Sequence, residues 1–394
     1  MIIRSERIVT PTKVMDGHLR VESGRIAEVC EGRFRDNPQQ DFGQAWVLPG
    51  FIDLHMHGLG PYEPLDVAGL VGMAGMQPRF GTVAFLPTGA AMSVAQIIDL
   101  GKHARQAQKE CAGIAKIAGV HLEGPFINPQ SSGAMDGSTR RPIDLDEARL
   151  YIDAIGDLLK IMTFSPELPG GIELIRLLRQ NGVVASLGHS IAAGESLASY
   201  VEAGLQHVVH LFNAFQPSGL KEPGVLRAGL LEHILLNDAL TCEVICDLQH
   251  VAPEIVQLAA RVLGPDRLIA ITDSLPGAGQ PDGVYAFPNG GQYQISGGAA
   301  RLQGGPFAGC LAGSVLTMNK AFVNLIHGCR IDPVWAAKYT ASNAAKVLGR
   351  EKQTGTLETD KCADIAVIDD TGQCLATCID GAWVYRCQTE EKTL

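Results

Sequence analysis

The sequence predicts an α/β protein in which a (β/α)8, TIM-like barrel carries a small β-sandwich domain formed by both termini. The middle of the chain holds eight short apolar runs, most of them separated by helical patterns, and this alternation is typical of such a barrel. Both ends instead show the period-two alternation of β-strands, so we expect them to share one domain. A doubly wound open sheet is the alternative for the middle region, and the strand count favours the barrel.

The predicted barrel strands are runs of apolar residues that lie between helical or polar stretches. The stretch Asp144–Leu159 illustrates the helical pattern, because its apolar residues recur at the spacing of one helix face. The eight runs are Trp46–Leu54, Thr82–Pro87, Ile117–Leu122, Lys160–Phe164, Val183–Leu187, His207–Leu211, Cys242–Cys246 and Leu268–Thr272.

The two ends of the chain carry hairpin signals. Residues 17–21 and 25–29 alternate on either side of a Glu-Ser-Gly turn, and Cys374–Tyr385 alternates around an Asp-Gly dipeptide suited to a tight turn. We therefore predict a small β domain built from residues 1–48 and 350–394. The barrel domain is predicted to span residues 49–349.

Composition and charge exclude several classes of protein. The 394 residues include 32 Lys and Arg against 42 Asp and Glu, a net charge of −10, which argues against a broad nucleic-acid-binding surface. No apolar run approaches the roughly 18 residues of a membrane span, and the first residues lack the apolar segment of a secretory signal. Ten scattered cysteines predict reduced thiols and a cytoplasmic location. We expect no nucleic-acid or membrane partner.

Ionisable residues follow five of the predicted strands, at the end of a barrel where functional residues lie. Two of them have the i, i+2 spacing that places both side chains on the same side of one strand. These residues are His55 and His57 after the first strand, Glu123 after the third, His189 after the fifth, His210 after the sixth and Asp273 after the eighth.

The same residues predict a metal centre. Each is weak evidence alone, because a lone histidine is often a core residue and an aspartate after a strand is often a helix cap. Together they would bury unpaired charge at a cost of several kcal/mol unless a cation binds there. Imidazole and carboxylate ligands suit one or two divalent ions, with Zn²⁺ expected and Fe²⁺, Co²⁺ or Mn²⁺ as alternatives. Glu123 is placed to bridge two ions, and Asp273 to complete one site.

Seven segments of the chain carry recognisable motifs, namely Pro49–His57, His121–Phe126, Gly188–Ser190, His210–Ala214, Glu222–Gly224, Thr272–Asp273 and Leu311–Ser314. They resemble motifs of the amidohydrolase superfamily and, within it, of the N-acetylglucosamine-6-phosphate deacetylase family. The likeness extends through nearly the whole chain, including the split β domain. The motif around Glu123 is specific to this family. Most other amidohydrolases instead place a carboxylated lysine in the barrel, and residues 163–167, at the end of the fourth run, contain no lysine.

The resemblance implies hydrolysis of the N-acetyl group of N-acetylglucosamine-6-phosphate to glucosamine-6-phosphate and acetate. It implies that Glu123, His189 and His210 hold the principal metal. It also implies that His55 and His57 hold a second metal, which some members possess. Asp273 would act as general base on the attacking water and then as general acid toward the leaving nitrogen.

The resemblance further implies a set of substrate-binding residues and a homodimer in which Lys221 crosses to the phosphate site of the neighbouring subunit. Three positions depart from the family pattern: Met135 replaces a sugar-contacting histidine, Lys221 replaces an arginine, and Leu248 replaces a glycine. A different N-acyl substrate, deamination of a ring and a non-catalytic metal-binding role are therefore the alternatives. The implied substrate-binding residues are Ala134, Met135, Asn213, Ala214, Lys221, His250, Leu311, Ala312 and Gly313.

Overall fold

The structure is a computed structural model that describes residues 1–32, 38–90, 92–131, 133, 139–215, 220–222, 224–286, 291–305 and 308–387. The predicted substrate residues Ala134 and Met135 lie outside the described residues, and Lys221 is described through its backbone alone.

Eight parallel strands form a barrel, as predicted. They follow one another around the sheet in chain order. Backbone hydrogen bonds close the barrel between its last and first strands, since the Asp273 amide donates to the His55 carbonyl at 2.8 Å and the His57 amide donates to the Ser274 carbonyl at 2.8 Å. The strands are Phe51–Met56, Thr82–Ala90, Val120–Glu123, Leu159–Phe164, Val184–Leu187, His207–Val208, Thr241–Ile245 and Leu268–Ile271, and the short strand Lys116–Ile117 pairs beside the second.

The predicted first run, Trp46–Leu54, divides between two sheets. Trp46–Pro49 pairs antiparallel with Ile365–Ile368, whereas Phe51–Met56 begins the barrel. Gly50 lies between the two, where a Cβ would meet a side chain of the second barrel strand at 2.3 Å. Both halves of the run are buried, and both are therefore apolar. The composition of the run does not show where the first strand ends and the second begins.

Helices surround the barrel strands, as the alternating pattern predicts. Asp144 caps the helix Leu145–Ile155 by accepting from the backbone amides of Asp146 and Glu147, and Gly156 follows its last residue. The α-helices are Val67–Met76, Val94–Glu110, Leu145–Ile155, Gly171–Gln180, Leu197–Ala203, Leu230–Leu235, Pro253–Leu263, Met318–Val323, Pro333–Ala337 and Asn343–Val347; the 3₁₀ helices are Gln77–Phe80, Pro129–Ser131, Gly156–Leu158 and Gly194–Ser196, and the π-helices are Asn324–Gly328 and Lys338–Ser342. No helix in the described part of the chain is long and apolar enough to cross a bilayer.

Both ends of the chain contribute to one further sheet, which confirms the predicted terminal β domain. Its central pair joins the two ends, and it packs a core of its own around Ile3, Val47 and Ile365. The boundaries at residues 48 and 350 remain predictions. In sheet order the strands are Ala382–Arg386, Cys374–Ile379, Ile365–Ile368, Trp46–Pro49, Ile2–Val9, Val14–Glu22 and Arg25–Glu31, with Gln40–Asp41 beside Ile2–Val9.

Two insertions follow the sixth and eighth barrel strands. The first is the hairpin Leu220–Glu222 with Val225–Leu226, and the second is a four-stranded antiparallel sheet. Leu311, Ala312 and Gly313 lie on the last strand of that sheet, which pairs with Ala299–Gln303. The four strands are Gly283–Ala286, Gln292–Ser296, Ala299–Gln303 and Leu311–Ser314.

Phe51→Ala should destabilise the protein by about 3–5 kcal/mol, the usual cost of truncating a buried phenylalanine. Phe51 is fully buried and stacks on Phe322, with ring centroids 6.1 Å apart. Leu236→Ala is the matched control, because that side chain is 75% exposed and should change stability by less than about 0.5 kcal/mol. Urea denaturation of both variants measures the difference, and equal midpoints would contradict the assigned packing.

Candidate metal centre

Glu123 lies between two pairs of histidines at the mouth of the barrel. Its Oε1 atom is 2.9 Å from His210 Nε2 and 3.0 Å from His189 Nε2. Its Oε2 atom is 3.2 Å from His57 Nε2 and 3.5 Å from His55 Nε2. The structure therefore brings these five predicted residues together around one carboxylate.

Asp273 faces only one of the pairs. Its Oδ1 atom is 3.0 Å from His57 Nε2 and 3.4 Å from His55 Nε2. The side chains of Asp273 and His57 are each 17% exposed, so the side of the cluster that they form is open at the barrel mouth. An ionised carboxylate in this position can accept a proton from a molecule entering the mouth.

Left-handed backbone directs three of these side chains inward. His189, His210 and Asp273 follow short strands with φ values of 50°, 25° and 48°. Such a conformation costs on the order of 1–3 kcal/mol in a residue other than glycine and occurs preferentially at functional sites. His55 and His57 need no such turn, since alternate residues of a strand share one face.

The donor atoms of the site fit a divalent cation. The Nδ1 atoms of His55, His57 and His189 lie 3.1, 3.2 and 3.0 Å from a carboxylate or carbonyl oxygen, which only accepts hydrogen bonds. In the neutral ring Nδ1 therefore carries the proton, and Nε2 presents a lone pair. The Nε2 atoms within each pair, His55 with His57 and His189 with His210, are 3.1 Å apart. Lone pairs this close repel each other unless a positive charge lies beside them.

Two groups of ligands are available around Glu123. One is Glu123 with His189 and His210, and the other is Glu123 with His55 and His57; in each group the ligand atoms lie within 4.8 Å of one another. The carboxylate belongs to both groups, as expected for a residue that bridges two ions.

Electrostatics favours positive charge at this position. Burial acts to lower the pKa of His57, but hydrogen bonds to Asp273 and Glu123 outweigh it and raise the pKa to about 9. Burial acts to raise the pKa of Glu123, yet the charge of His55 and hydrogen bonds from His189 and His210 hold that pKa well below its usual range. The carboxylates therefore remain ionised and attract a cation.

Buried polar residues support the cluster from inside the barrel. His121 has both ring nitrogens occupied, with Nδ1 3.0 Å from the Leu54 carbonyl and Nε2 2.8 Å from Thr163 Oγ1, and burial lowers its pKa to about 3. Burial raises the pKa of Asp53 to about 7, although the Thr272 hydroxyl donates to it at 2.6 Å. These residues hold the first, third and eighth strands in register behind the ligands.

Among the predicted substrate residues that the structure describes, Asn213, Ala214 and His250 follow the sixth and seventh barrel strands. The Asn213 amide donates to the His210 carbonyl, and the buried Asn213 Oδ1 has no hydrogen-bond partner within the described ranges. Ala214 follows with a φ of 57°, and the Ser131 hydroxyl donates to its carbonyl. Asp247 Oδ2 lies 2.6 Å from His250 Nδ1. Burial acts to lower the pKa of His250, and the hydrogen bond to Asp247 outweighs it and raises the pKa.

Sequence reasoning missed Glu243, a fully buried carboxylate that lies 3.1 Å from His55 Nδ1. It lies within the apolar run Cys242–Cys246, which has a cysteine at each end. The available signal was a charged residue in the middle of a buried strand, which seldom occurs without a partner.

A closed (β/α)8 barrel whose mouth holds four histidines around a shared glutamate, with an aspartate at the end of the eighth strand, is typical of metal-dependent hydrolases of the amidohydrolase class. An enamidase described as a member of the amidohydrolase superfamily shares the fold, with a TM-score of 0.54 at 16% identity over 99% of this chain and 97% of its own. No family model matches the chain.

The particular family follows from curated relatives. N-acetylglucosamine-6-phosphate deacetylase from Bacillus subtilis is 32% identical over 97% of this chain and 96% of its own length. N-acetylgalactosamine-6-phosphate deacetylase from Escherichia coli O157:H7 is 30% identical over 93% and 95%. The N-acetyl-D-glucosamine-6-phosphate deacetylase structure from Mycobacterium smegmatis superposes with a TM-score of 0.88 at 27% identity, covering 98% of this chain and all of that one. The chain belongs to the N-acetylglucosamine-6-phosphate deacetylase family.

Proposed function

We propose that this protein hydrolyses the N-acetyl group of N-acetylglucosamine-6-phosphate, giving glucosamine-6-phosphate and acetate. One observation carries the proposal: Glu123 lies within 3.5 Å of the Nε2 atoms of four histidines, with Asp273 beside one pair. This arrangement occurs in a chain whose relatives carry the name of that activity.

Glu123, His189 and His210 would hold the principal ion, and His55 and His57 would help Glu123 to hold a second. Zn²⁺ is the ion we propose, with Fe²⁺, Co²⁺ or Mn²⁺ as alternatives, since imidazole and carboxylate ligands suit all four. A cation bound there supplies Lewis acidity, which lowers the pKa of water and polarises an amide carbonyl.

Asp273 would move the proton of the reaction. Burial acts to raise its pKa, but the charge of His55 and a hydrogen bond from His57 outweigh it and keep the pKa below its usual value. Asp273 is therefore ionised at neutral pH and can accept a proton from the attacking water. It then gives this proton to the leaving nitrogen, because an amine leaves poorly unless it is protonated.

Recognition of the sugar phosphate would fall to residues around the mouth. Asn213 Oδ1 lacks a hydrogen-bond partner within the described ranges, as expected for an atom that meets a ligand. His250 would contact the substrate while Asp247 holds its ring. We retain Ala134, Met135, Ala214, Lys221 and the segment Leu311, Ala312, Gly313 as the other proposed contacts.

Asn213→Ala should lower kcat/KM about fivefold, because a hydrogen bond of a neutral group contributes about 1 kcal/mol. Bound metal should be unchanged, since Asn213 donates to the metal-site residue His210 only through its backbone amide. Steady-state kinetics and a metal assay of the same sample measure both. Asn181→Ala is the control, because that side chain lies on the surface after the helix Gly171–Gln180. Unchanged kinetics of the Asn213 variant would remove this residue from the site.

A substrate panel tests the proposed activity and its alternatives. Metal-loaded protein is supplied with N-acetylglucosamine-6-phosphate, its unphosphorylated form and N-acetylgalactosamine-6-phosphate, the last because one relative acts on that sugar by name. We expect rapid acetate release from the first compound only. Faster turnover of the galactosamine compound would reassign the sugar, and ammonia release from a nucleobase-like ring would favour deamination.

We further propose that the protein is a cytoplasmic homodimer. All ten cysteines are free thiols, which supports a reducing compartment. Ile255, Leu258 and Val262 expose 38–51% of their area along one face of the helix Pro253–Leu263, which supports self-association. Light scattering during gel filtration gives the mass, and a monomer at micromolar concentration would contradict the dimer.

A further inference from the structure

Glu243 is a fully buried carboxylate in the seventh barrel strand, Thr241–Ile245, and the proposed reaction does not use it. Its Oε2 atom lies 3.1 Å from His55 Nδ1, and its Oε1 atom lies 3.0 Å from His207 Nε2. Both partners are themselves fully buried. The carboxylate therefore links one histidine of the metal centre to the barrel interior.

The hydrogen bond to Glu243 fixes the tautomer and the orientation of the His55 ring. A carboxylate only accepts hydrogen bonds, so His55 Nδ1 carries the proton and donates. The lone pair of His55 Nε2 then points to the other ligands, 3.1 Å from His57 Nε2 and 3.5 Å from Glu123 Oε2. The ring has the tautomer and the orientation that a metal ion requires.

The other side of Glu243 is also held in place. His207 donates from Nε2 to Glu243, and its Nδ1 atom lies 2.7 Å from Thr241 Oγ1. Glu243 thus receives a hydrogen bond on each oxygen from a histidine ring. No Lys or Arg in the described part of the chain comes within 4 Å of it, so its negative charge lacks a permanent cation.

A buried charge without a counter-charge costs several kcal/mol. A divalent ion held by His55 would provide one, because Glu243 accepts a hydrogen bond from the same ring. The His189/His210 pair lacks such an arrangement, because His189 Nδ1 meets a backbone carbonyl and His210 Nδ1 has no partner within the described residues. Glu243 therefore acts on the His55/His57 side alone.

We infer that Glu243 is a positioning residue: by holding the His55 ring it sets how tightly the His55/His57 side of the centre binds a divalent ion. The inference rests on the metal centre of the proposed function, and it goes further by naming the residue on which binding of the second ion depends.

Metal counting tests the inference without using turnover. Metal-free protein is titrated with Zn²⁺ by calorimetry, and the bound zinc is counted by mass spectrometry after gel filtration. The wild-type protein should bind two ions per chain. Glu243→Gln keeps the shape but removes the charge, and it should weaken the second ion about 10–100-fold while the first is retained.

Glu167→Gln is the matched control. Glu167 is also a carboxylate near the mouth of the barrel, and it accepts from Asn128 Nδ2 at 2.9 Å and from Ser190 Oγ at 2.7 Å. It contacts no histidine side chain of the metal centre among the described residues, so this variant should bind both ions as the wild type does.

Each result decides the inference. One ion in the wild-type protein, both ions retained in Glu243→Gln, or an equal loss of both ions in that variant would overturn it. If Glu243→Gln does not fold, Glu243→Asp is the second variant, because it keeps the charge but is one methylene shorter. Glu243→Asp should lose the second ion, and two ions bound to it would also overturn the inference. Two ions without acetate release would instead reject the proposed function and leave the inference standing.

Discussion

Replacing Asp273 with asparagine should reduce turnover by about 10²–10⁴-fold, the usual contribution of a general acid–base group. The amide keeps the size of the carboxylate but cannot take a proton from water or return it to nitrogen. The principal ion should remain, because Glu123, His189 and His210 are untouched. Initial rates of acetate release, with zinc content measured in the same preparation, give both quantities.

Asp282→Asn is the matched control for this prediction. Asp282 is an exposed aspartate of the segment that follows the same strand, and its carboxylate accepts from the Gly297 amide at 3.0 Å. Surface substitutions of this kind rarely change stability by more than about 0.5 kcal/mol. The Asp282→Asn variant should therefore stay folded and keep the wild-type rate within about twofold. A fully active Asp273→Asn enzyme would show that another group transfers the proton.

Glu123→Gln should remove both ions and abolish activity, the largest effect expected of any single change. Both ligand groups share this carboxylate, whose two oxygens face different histidine pairs. A glutamine presents one oxygen and one NH₂ group, so it cannot bridge. We expect a loss of turnover of more than about 10³-fold, since metal and general base act as one unit.

Thermal stability gives a second measure of the Glu123 variant. Zinc at about 100 times its dissociation constant should stabilise the wild-type protein by about 2.7 kcal/mol per site. The Glu123→Gln variant should show no shift in Tm on adding zinc, whereas Glu167→Gln should shift as the wild type does. A zinc-dependent shift of normal size in Glu123→Gln would mean that the bridging carboxylate is not a ligand.

The barrel and the gathering of histidine and carboxylate side chains at its mouth could be predicted because both depend on local patterns. Parallel strands place their carboxyl ends at one edge, so His55, Glu123 and His189 had to lie together once the strands were identified. The His-x-His spacing then fixed the side on which His55 and His57 project. These inferences needed no knowledge of which strand pairs with which.

Features that depend on pairing between distant segments were not predictable. Trp46–Pro49 forms a separate strand of the terminal sheet because Ile365–Ile368 and Ile2–Val9 lie on either side of it, whereas its sequence is continuous with the barrel strand. The strand Leu311–Ser314 exists because Ala299–Gln303 pairs with it. Glu243 was missed for the same reason, since its partners, His55 and His207, come from other strands.

The most direct test of metal-dependent deacetylation is to measure acetate release from N-acetylglucosamine-6-phosphate. The release is measured before the metal is chelated, after chelation, and after zinc is restored. We predict equal amounts of acetate and glucosamine-6-phosphate, loss of both on chelation and recovery on adding zinc. Metal-loaded protein that releases no acetate, or acetate release that survives complete removal of the metal, would contradict the assignment of this site as a metal-dependent deacetylase.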